Sequence, residues 1–143
     1  MKLKEIMTID VELIHPTDTL KTAAQKMRDR DIGFLPVVDG DELIGVLTDR
    51  DLVVRAVADG LKLNTMIGRE LVTSPCIHAF EDDGVDEAAH LMREHQIRRL
   101  VVLNRNDGNV MGVLSLGDLA ANSSPDKAGE ILQVVSGGFV KTR

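Results

Sequence analysis

Gly45-Val46-Leu47-Thr48-Asp49-Arg50-Asp51-Leu52 and Gly112-Val113-Leu114-Ser115-Leu116-Gly117-Asp118-Leu119 occur in one chain. Each is a short apolar run that ends in a hydroxyl residue, with an acid three positions further on. Sliding the chain against itself extends the match upstream. At an offset of 65, Thr8 meets Thr73, Ala23-Ala24 meets Ala88-Ala89, and Met27-Arg28 meets Met92-Arg93; Ile32, Leu35 and Val37 meet Ile97, Leu100 and Val102. The offset becomes 67 after a turn in which the second copy is longer, and the match runs on to Asp51-Leu52 and Asp118-Leu119. Order kept over that length, with one gap placed in a turn, marks an internal duplication. Two copies are too few for a solenoid and predict a pseudo-symmetric pair.

Each copy predicts strand, helix, strand, strand, helix. The first extended stretch is Val11 to His15 in copy one and Cys76 to Phe80 in copy two. Leu20, Ala23, Ala24 and Met27, and then Val85, Ala88, Ala89 and Met92, recur at the spacing of one buried helix face. Asp18 or Thr19 is placed to cap the first helix, and Asp82 or Asp83 the second. The runs Phe34 to Val38 and Leu43 to Thr48, and Leu100 to Leu103 and Val110 to Ser115, flank turns containing Asp-Gly and read as hairpins. A second helix closes each copy, Asp49 to Ala58 and Leu116 to Asn122. The expected divisions are 1–60 for the first repeat, 61–122 for the second with its linker, and 123–143 for a tail. In the tail Ser124-Pro125-Asp126 starts a helix. Ile131, Leu132, Val134 and Val135 give it an apolar face before Gly137-Gly138, where it is expected to stop. That face packs on its own module or on a second copy.

Composition narrows the function. Of 143 residues only Phe34, Phe80 and Phe139 are aromatic, with no Trp and no Tyr. Stacking of bases on aromatic side chains has little to work with. A formal charge of -6 gives no basic surface for phosphate backbones, so nucleic acid is not an expected partner. The lone Cys76 fits a reducing compartment. Glu5, Asp10 and Glu12 interrupt any secretory signal core, and no apolar run has membrane-span length, so a cytoplasmic protein without membrane contact is expected.

The strand-to-helix joints carry the chemistry. A helix start exposes backbone N–H groups and a positive dipole end, a natural place for an anion. Thr48 and Ser115 can donate to a phosphate there. The same residues equally form an N-cap, with Asp51 and Asp118 completing a capping box.

The ordered set resembles a tandem pair of cystathionine-β-synthase-type (CBS) domains. It comprises Glu5-Ile6-Met7-Thr8, Ala23 to Met27, Ile32 to Asp39 and Gly45 to Asp51, then His95 to Val102 and Gly112 to Asp118. The resemblance covers residues 1 to about 122, and the chain length is similar to small stand-alone bacterial CBS-pair proteins of the hypoxic response protein type. It implies an α/β fold of two pseudo-symmetric β-α-β-β-α repeats packed as one module, here with a C-terminal helical tail. It also implies clefts between the repeats for adenosine-containing ligands such as AMP, ATP or S-adenosylmethionine. Carried over, Asp51 and Asp118 hold ribose, and Thr48, Ser115, Arg98, Arg99 and Arg50 serve phosphate. Leu13, Ile14 and His78 lie near adenine. The copies differ: Gly33-Phe34 stands where copy two has Arg98-Arg99, and Asp49-Arg50 where it has Leu116-Gly117. The extra charge of Asp49 favours the Asp118 side as the better site.

No Gly-x-Ser-x-Gly elbow, Walker loop or His-Glu-x-x-His is present, so the chain does not read as an enzyme and needs no cofactor. Asp82-Asp83 and Asp86-Glu87 read as a helix N-terminal charge run. Two other readings stand beside the regulatory nucleotide sensor. One is a ligand-free dimerisation module acting on a protein partner, and homodimers are expected in either case. The other is a metal-binding stress protein using Cys76 and His78, with His90 or His95 joining them.

Overall fold

The computed structural model describes residues 1–141, with side chains described through Gln133. In the first copy, helix α1 (Leu20–Arg30) leads to strand β1 (Phe34–Asp39), which turns back antiparallel into β2 (Glu42–Thr48). A helix follows at once. It opens as a single α-turn, α2 (Asp49–Asp51), and continues in π-winding over Leu52–Val57, with the Ala58 N–H reaching Val53 O at 3.0 Å. The second copy has β3 (His78–Phe80), α3 (Val85–His95), β4 (Arg99–Leu103), β5 (Val110–Ser115) and α4 (Leu116–Ala121). The mixed α/β architecture and the hairpins are those expected from the apolar runs. Their turns use Gly40 and Gly108 at φ of 63° and 74°, which a residue with a Cβ adopts only with strain.

The compact units do not coincide with the sequence copies. One unit is Glu12–Cys76; the other joins Met1–Val11 to the chain from Ile77 onward. Each contains one repeat core and the lead-in segment of the other repeat. In the second-repeat unit Thr8 exchanges two backbone hydrogen bonds with Val113, at 2.9 and 3.0 Å, and Leu3 is fully buried beside Ala79, Met92 and Leu100. In the first-repeat unit Thr73 exchanges two with Val46, at 2.8 and 3.0 Å, and Ile67, Leu71 and Val72 join Ile14, Leu35 and Leu47 in the core. This explains the glycine that opens each quoted motif. A Cβ on Gly45 would stand 2.4 Å from Thr73 O, and one on Gly112 would stand 2.7 Å from Thr8 O.

The expected first strand of copy one is reduced to a single bridge, Ile14 to Val37. In copy two the parallel ladder of β3 with β4 runs from His78–Val101 to Phe80–Leu103, and the Glu81 N–H adds a bond to Leu103 O at 2.9 Å. The counterparts of Val101 and Glu81 in copy one are Pro36 and Pro16, and neither has an N–H to donate. His15 supplies a substitute: its Nδ1 lies 2.8 Å from Val38 O, the carbonyl that Pro16 cannot reach. A carbonyl only accepts, so Nδ1 carries the proton.

The helix caps also differ from the expectation in part. Thr19 caps α1, accepting from Thr22 N–H at 3.2 Å, while Asp18 instead accepts from His15 N–H. Gly84, rather than Asp82 or Asp83, is the N-cap of α3, because Glu87 reaches back to its N–H at 3.0 Å. Asp82 and Asp83 pair with Arg105, whose guanidinium lies over the Phe80 ring at 4.2 Å. Leu20, Ala23 and Met27 are buried as expected, but Ala24 falls outside the stripe and is exposed. The tail helix α5 (Pro125–Lys141) does not stop at Gly137-Gly138. It packs against α3 and α4 of its own unit, burying Ile131. The side chains of Val134 and Val135 lie outside the described residues.

Replacing Gly45 by Ala drives a Cβ into the Thr73 carbonyl oxygen and the Val72 side chain, each 2.4 Å away. The expected cost is about 1–3 kcal/mol, the usual range for overpacking. Urea denaturation followed by far-ultraviolet circular dichroism checks it, and an unshifted midpoint would show that the lead-in does not lie against this glycine.

Candidate functional site

Both joints form complete capping boxes. In the first, Thr48 Oγ1 accepts from the Asp51 N–H at 3.1 Å, and Asp51 Oδ2 accepts from the Thr48 N–H at 3.0 Å. In the second, Ser115 Oγ accepts from the Asp118 N–H at 3.0 Å, and Asp118 Oδ2 accepts from the Ser115 N–H at 2.9 Å. The cap therefore fixes each acid and each hydroxyl within one helical turn.

Beyond the box the joints diverge. The Asp51 side chain is only 13% exposed, and the Thr73 hydroxyl donates to its carboxylate at 3.2 and 3.3 Å. Arg55 stands 4.0 Å from Asp51 Oδ1, one helical turn on, and also donates to Leu71 O. Thr73 and Arg55 did not emerge from motif reading. The repeated threonine was a visible signal, but its partner is set by the lead-in crossing into the other repeat. At the second joint, the described bonds to the Asp118 carboxylate come from Ser115 alone, through Oδ2. The half-buried carboxylate keeps Oδ1 for another donor.

The arginines are not equivalent. Arg99 opens β4 directly opposite Ser115, so the two side chains leave the same face of the hairpin. Phe34 holds that place opposite Thr48 in the first copy. Arg98 precedes the strand, and its carbonyl accepts from the Leu116 N–H at 2.8 Å. Arg50 is exposed on α2.

The positions assigned to adenine are placed differently from one another. The Ile14 side chain is fully buried in the core, and its N–H and C=O both bond to β1. Leu13 is half-buried, with its carbonyl accepting from Lys26 Nζ at 2.7 Å. His78 is exposed on β3, edge-on to Phe80 with ring centres 5.4 Å apart. A cavity of about 220 Å³ lies elsewhere, between α3 and α5, lined by Asp86, His90, Arg93, Lys127 and Ile131 among others. The Lys127–Asp86 ion pair crosses that seam.

Cys76 and His78 do not alternate on one strand, because β3 begins only at His78. Among the described residues, no three His, Cys, Asp or Glu side chains gather into a metal-ligand group. Burial pushes the Cys76 thiol up to about 12, so it stays protonated near neutral pH. Among the described residues no helix is long and apolar enough to cross a membrane.

Comparison with known proteins gives these joints a context. The CBS-domain family profile matches residues 3–57 and 67–124. The chain is 38% identical over 140 residues to the protein YlbB of Bacillus subtilis, covering 96% of this chain and 93% of that one. It is 36% identical over 118 residues to Hypoxic response protein 1 of Mycobacterium tuberculosis, covering 82% of this chain and 81% of that one. A crystal structure of Hypoxic Response Protein I with two coordinated zinc ions superimposes with a TM-score of 0.76 at 35% identity, covering 86% of this chain and 99% of that one. CBSX2, solved in complex with AMP, shares the fold with a TM-score of 0.72 at 23% identity over 88% and 98% of the two chains.

Only the thiolate form of cysteine reacts with alkylating reagents. The folded protein should therefore leave Cys76 unmodified by iodoacetamide near neutral pH, and unfolding should raise the rate to that of an ordinary thiol. Equal rates in the two states, followed by mass spectrometry, would contradict the burial.

Proposed function

The chain belongs to the CBS-domain family, and we propose that it is a regulatory module that binds an adenosine-containing nucleotide at its Thr/Ser-x-x-Asp joints. The observation that carries the reading is the second joint. There one carboxylate is held in place by its cap through one oxygen, and the other oxygen keeps its accepting capacity. A ribose presents two adjacent hydroxyls to such a group, and hydrogen bonds to a carboxylate are worth about 1.5–3 kcal/mol each. Arg99, opposite Ser115, supplies positive charge for a phosphate. The AMP complex of CBSX2 is a property of that protein, and it sets the ligand class to try first.

The expected affinity follows from size. A nucleotide with about 23 heavy atoms at about 0.3 kcal/mol per atom gives roughly 7 kcal/mol, a dissociation constant on the order of 10 μM. That suits a sensor of cellular nucleotide. In this reading its output passes through a second copy or a protein partner. Such a signal requires the ligand to bind two states of the protein unequally.

The missing Trp and Tyr leave the protein nearly transparent at 280 nm, so a co-purifying adenine would dominate the spectrum near 260 nm. Calorimetry with AMP and ATP then measures affinity directly. Asp118→Ala should weaken AMP by about tenfold or more, a loss of at least about 1.4 kcal/mol. Unchanged AMP affinity in a folded variant would remove Asp118 from the site. Wild-type protein that takes up no adenosine compound at millimolar concentration would favour a ligand-free dimerisation module.

A further inference from the structure

The two joints carry different residues at one place in the fold, Asp49 with Gly33 in the first and Leu116 with Arg98 in the second. In the first repeat the Asp49 carboxylate folds back on its own helix start, and Oδ1 accepts from the Arg50 N–H at 2.9 Å. Its Oδ2 lies 2.5 Å from the point where a Cβ on residue 33 would stand, so Gly33 leaves the space that the carboxylate fills. The Asp49 N–H donates to Gly33 O at 3.0 Å, which ties the two residues together. In the second repeat the same backbone bond runs from Leu116 to Arg98. The aspartate is replaced there by an apolar residue, and the glycine by an arginine. Across the hairpin, Arg99 opposite Ser115 replaces Phe34 opposite Thr48. The first joint thus holds two carboxylates, Asp49 and Asp51, beside Arg50 and Arg55, and one carboxylate already sits on an N–H that an arriving anion would use.

We propose that Asp49 is a specificity-determining residue that keeps phosphate out of the first joint. The proposal rests on the nucleotide reading above and divides it. The second repeat takes phosphorylated adenosine ligands such as AMP. The first takes an adenosine ligand whose ribose bears no phosphate. Asp49 is exposed, and like charges at contact distance still disfavour each other there. Asp49 thus acts as a built-in anion in the place a phosphate would occupy. Gly33 is its companion, because a side chain at that position would have to displace the carboxylate.

The test is calorimetry with adenosine and AMP as probes. In an Asp118→Ala background, which weakens the second joint, adenosine should bind at the first joint at least about tenfold more tightly than AMP. Adding Asp49→Leu, the counterpart of Leu116, should tighten AMP by about tenfold or more and leave adenosine within about threefold. Asp49→Asn keeps an oxygen for the Arg50 N–H and removes only the charge, so it should recover part of the AMP gain without disturbing the helix start. If Asp118→Ala does not fold, Asp49→Leu alone should raise the AMP stoichiometry from one to two per chain. Equal affinity for adenosine and AMP at the first joint, or an AMP affinity there unmoved by both Asp49 variants, overturns the proposal and leaves the nucleotide reading intact. Binding of neither probe by the wild-type chain overturns both.

Discussion

The backbone pairing of each lead-in with the last hairpin strand of the other repeat is the constraint on which the architecture rests. Thr8 with Val113 and Thr73 with Val46 each exchange two hydrogen bonds, and each pair lies against a glycine that has no room for a Cβ. An unpaired strand edge would leave backbone groups exposed and open to association. The crossing pairs one residue on each of those edges and brings Leu3 into one core and Ile67, Leu71 and Val72 into the other. A repeat cut out at its sequence boundaries would lose one of its own core segments. The duplication is thus also a mutual dependence, and the Gly-Val-Leu motif is first a packing requirement.

On that shared frame the copies have diverged where backbone donors were lost. Pro16 and Pro36 remove the two N–H groups that would extend the first copy's parallel ladder, and the His15 ring takes over one of the stranded carbonyls. A side chain has replaced a main-chain bond, which leaves Ile14 as a one-residue strand. That residue is wholly occupied by this role, with its side chain in the core and both backbone groups bonded to β1. The exposed His78 sits at the equivalent region of an intact ladder. The first-strand neighbourhoods of the two repeats therefore differ in surface.

Sequence reading reached the hairpins, the helix order and the capping boxes because each depends on residues close together in the chain. Alternating apolar runs, Asp-Gly turns and a hydroxyl three residues before an acid are local signals. The lead-in exchange was out of reach for the opposite reason: Thr8 matching Thr73 revealed a repeat, but nothing nearby says that Thr73 pairs with Val46. The same gap hid the Thr73 hydroxyl on Asp51 and the Asp49 carboxylate in the space of Gly33. The misplaced cap of α3 has a different cause. Asp82 and Asp83 are suitable cap residues, but Arg105 engages both from the turn between β4 and β5, and Glu87 then caps from within the helix.

A capping box and a ligand site are usually weighed as rival explanations of one motif. In the proposed site at the second joint they would be the same arrangement. The cap spends one carboxylate oxygen of Asp118 to fix the position and direction of the other, so a ligand bound there would meet an acceptor whose rotamer has already been set. At the first joint the same cap is overlaid by Thr73, Arg55 and the neighbouring Asp49, and Asp51 has far less left to offer. Duplication copied the cap faithfully because the fold needs it in both places. The residues around it were free to change, and their changes give each joint a chemistry of its own.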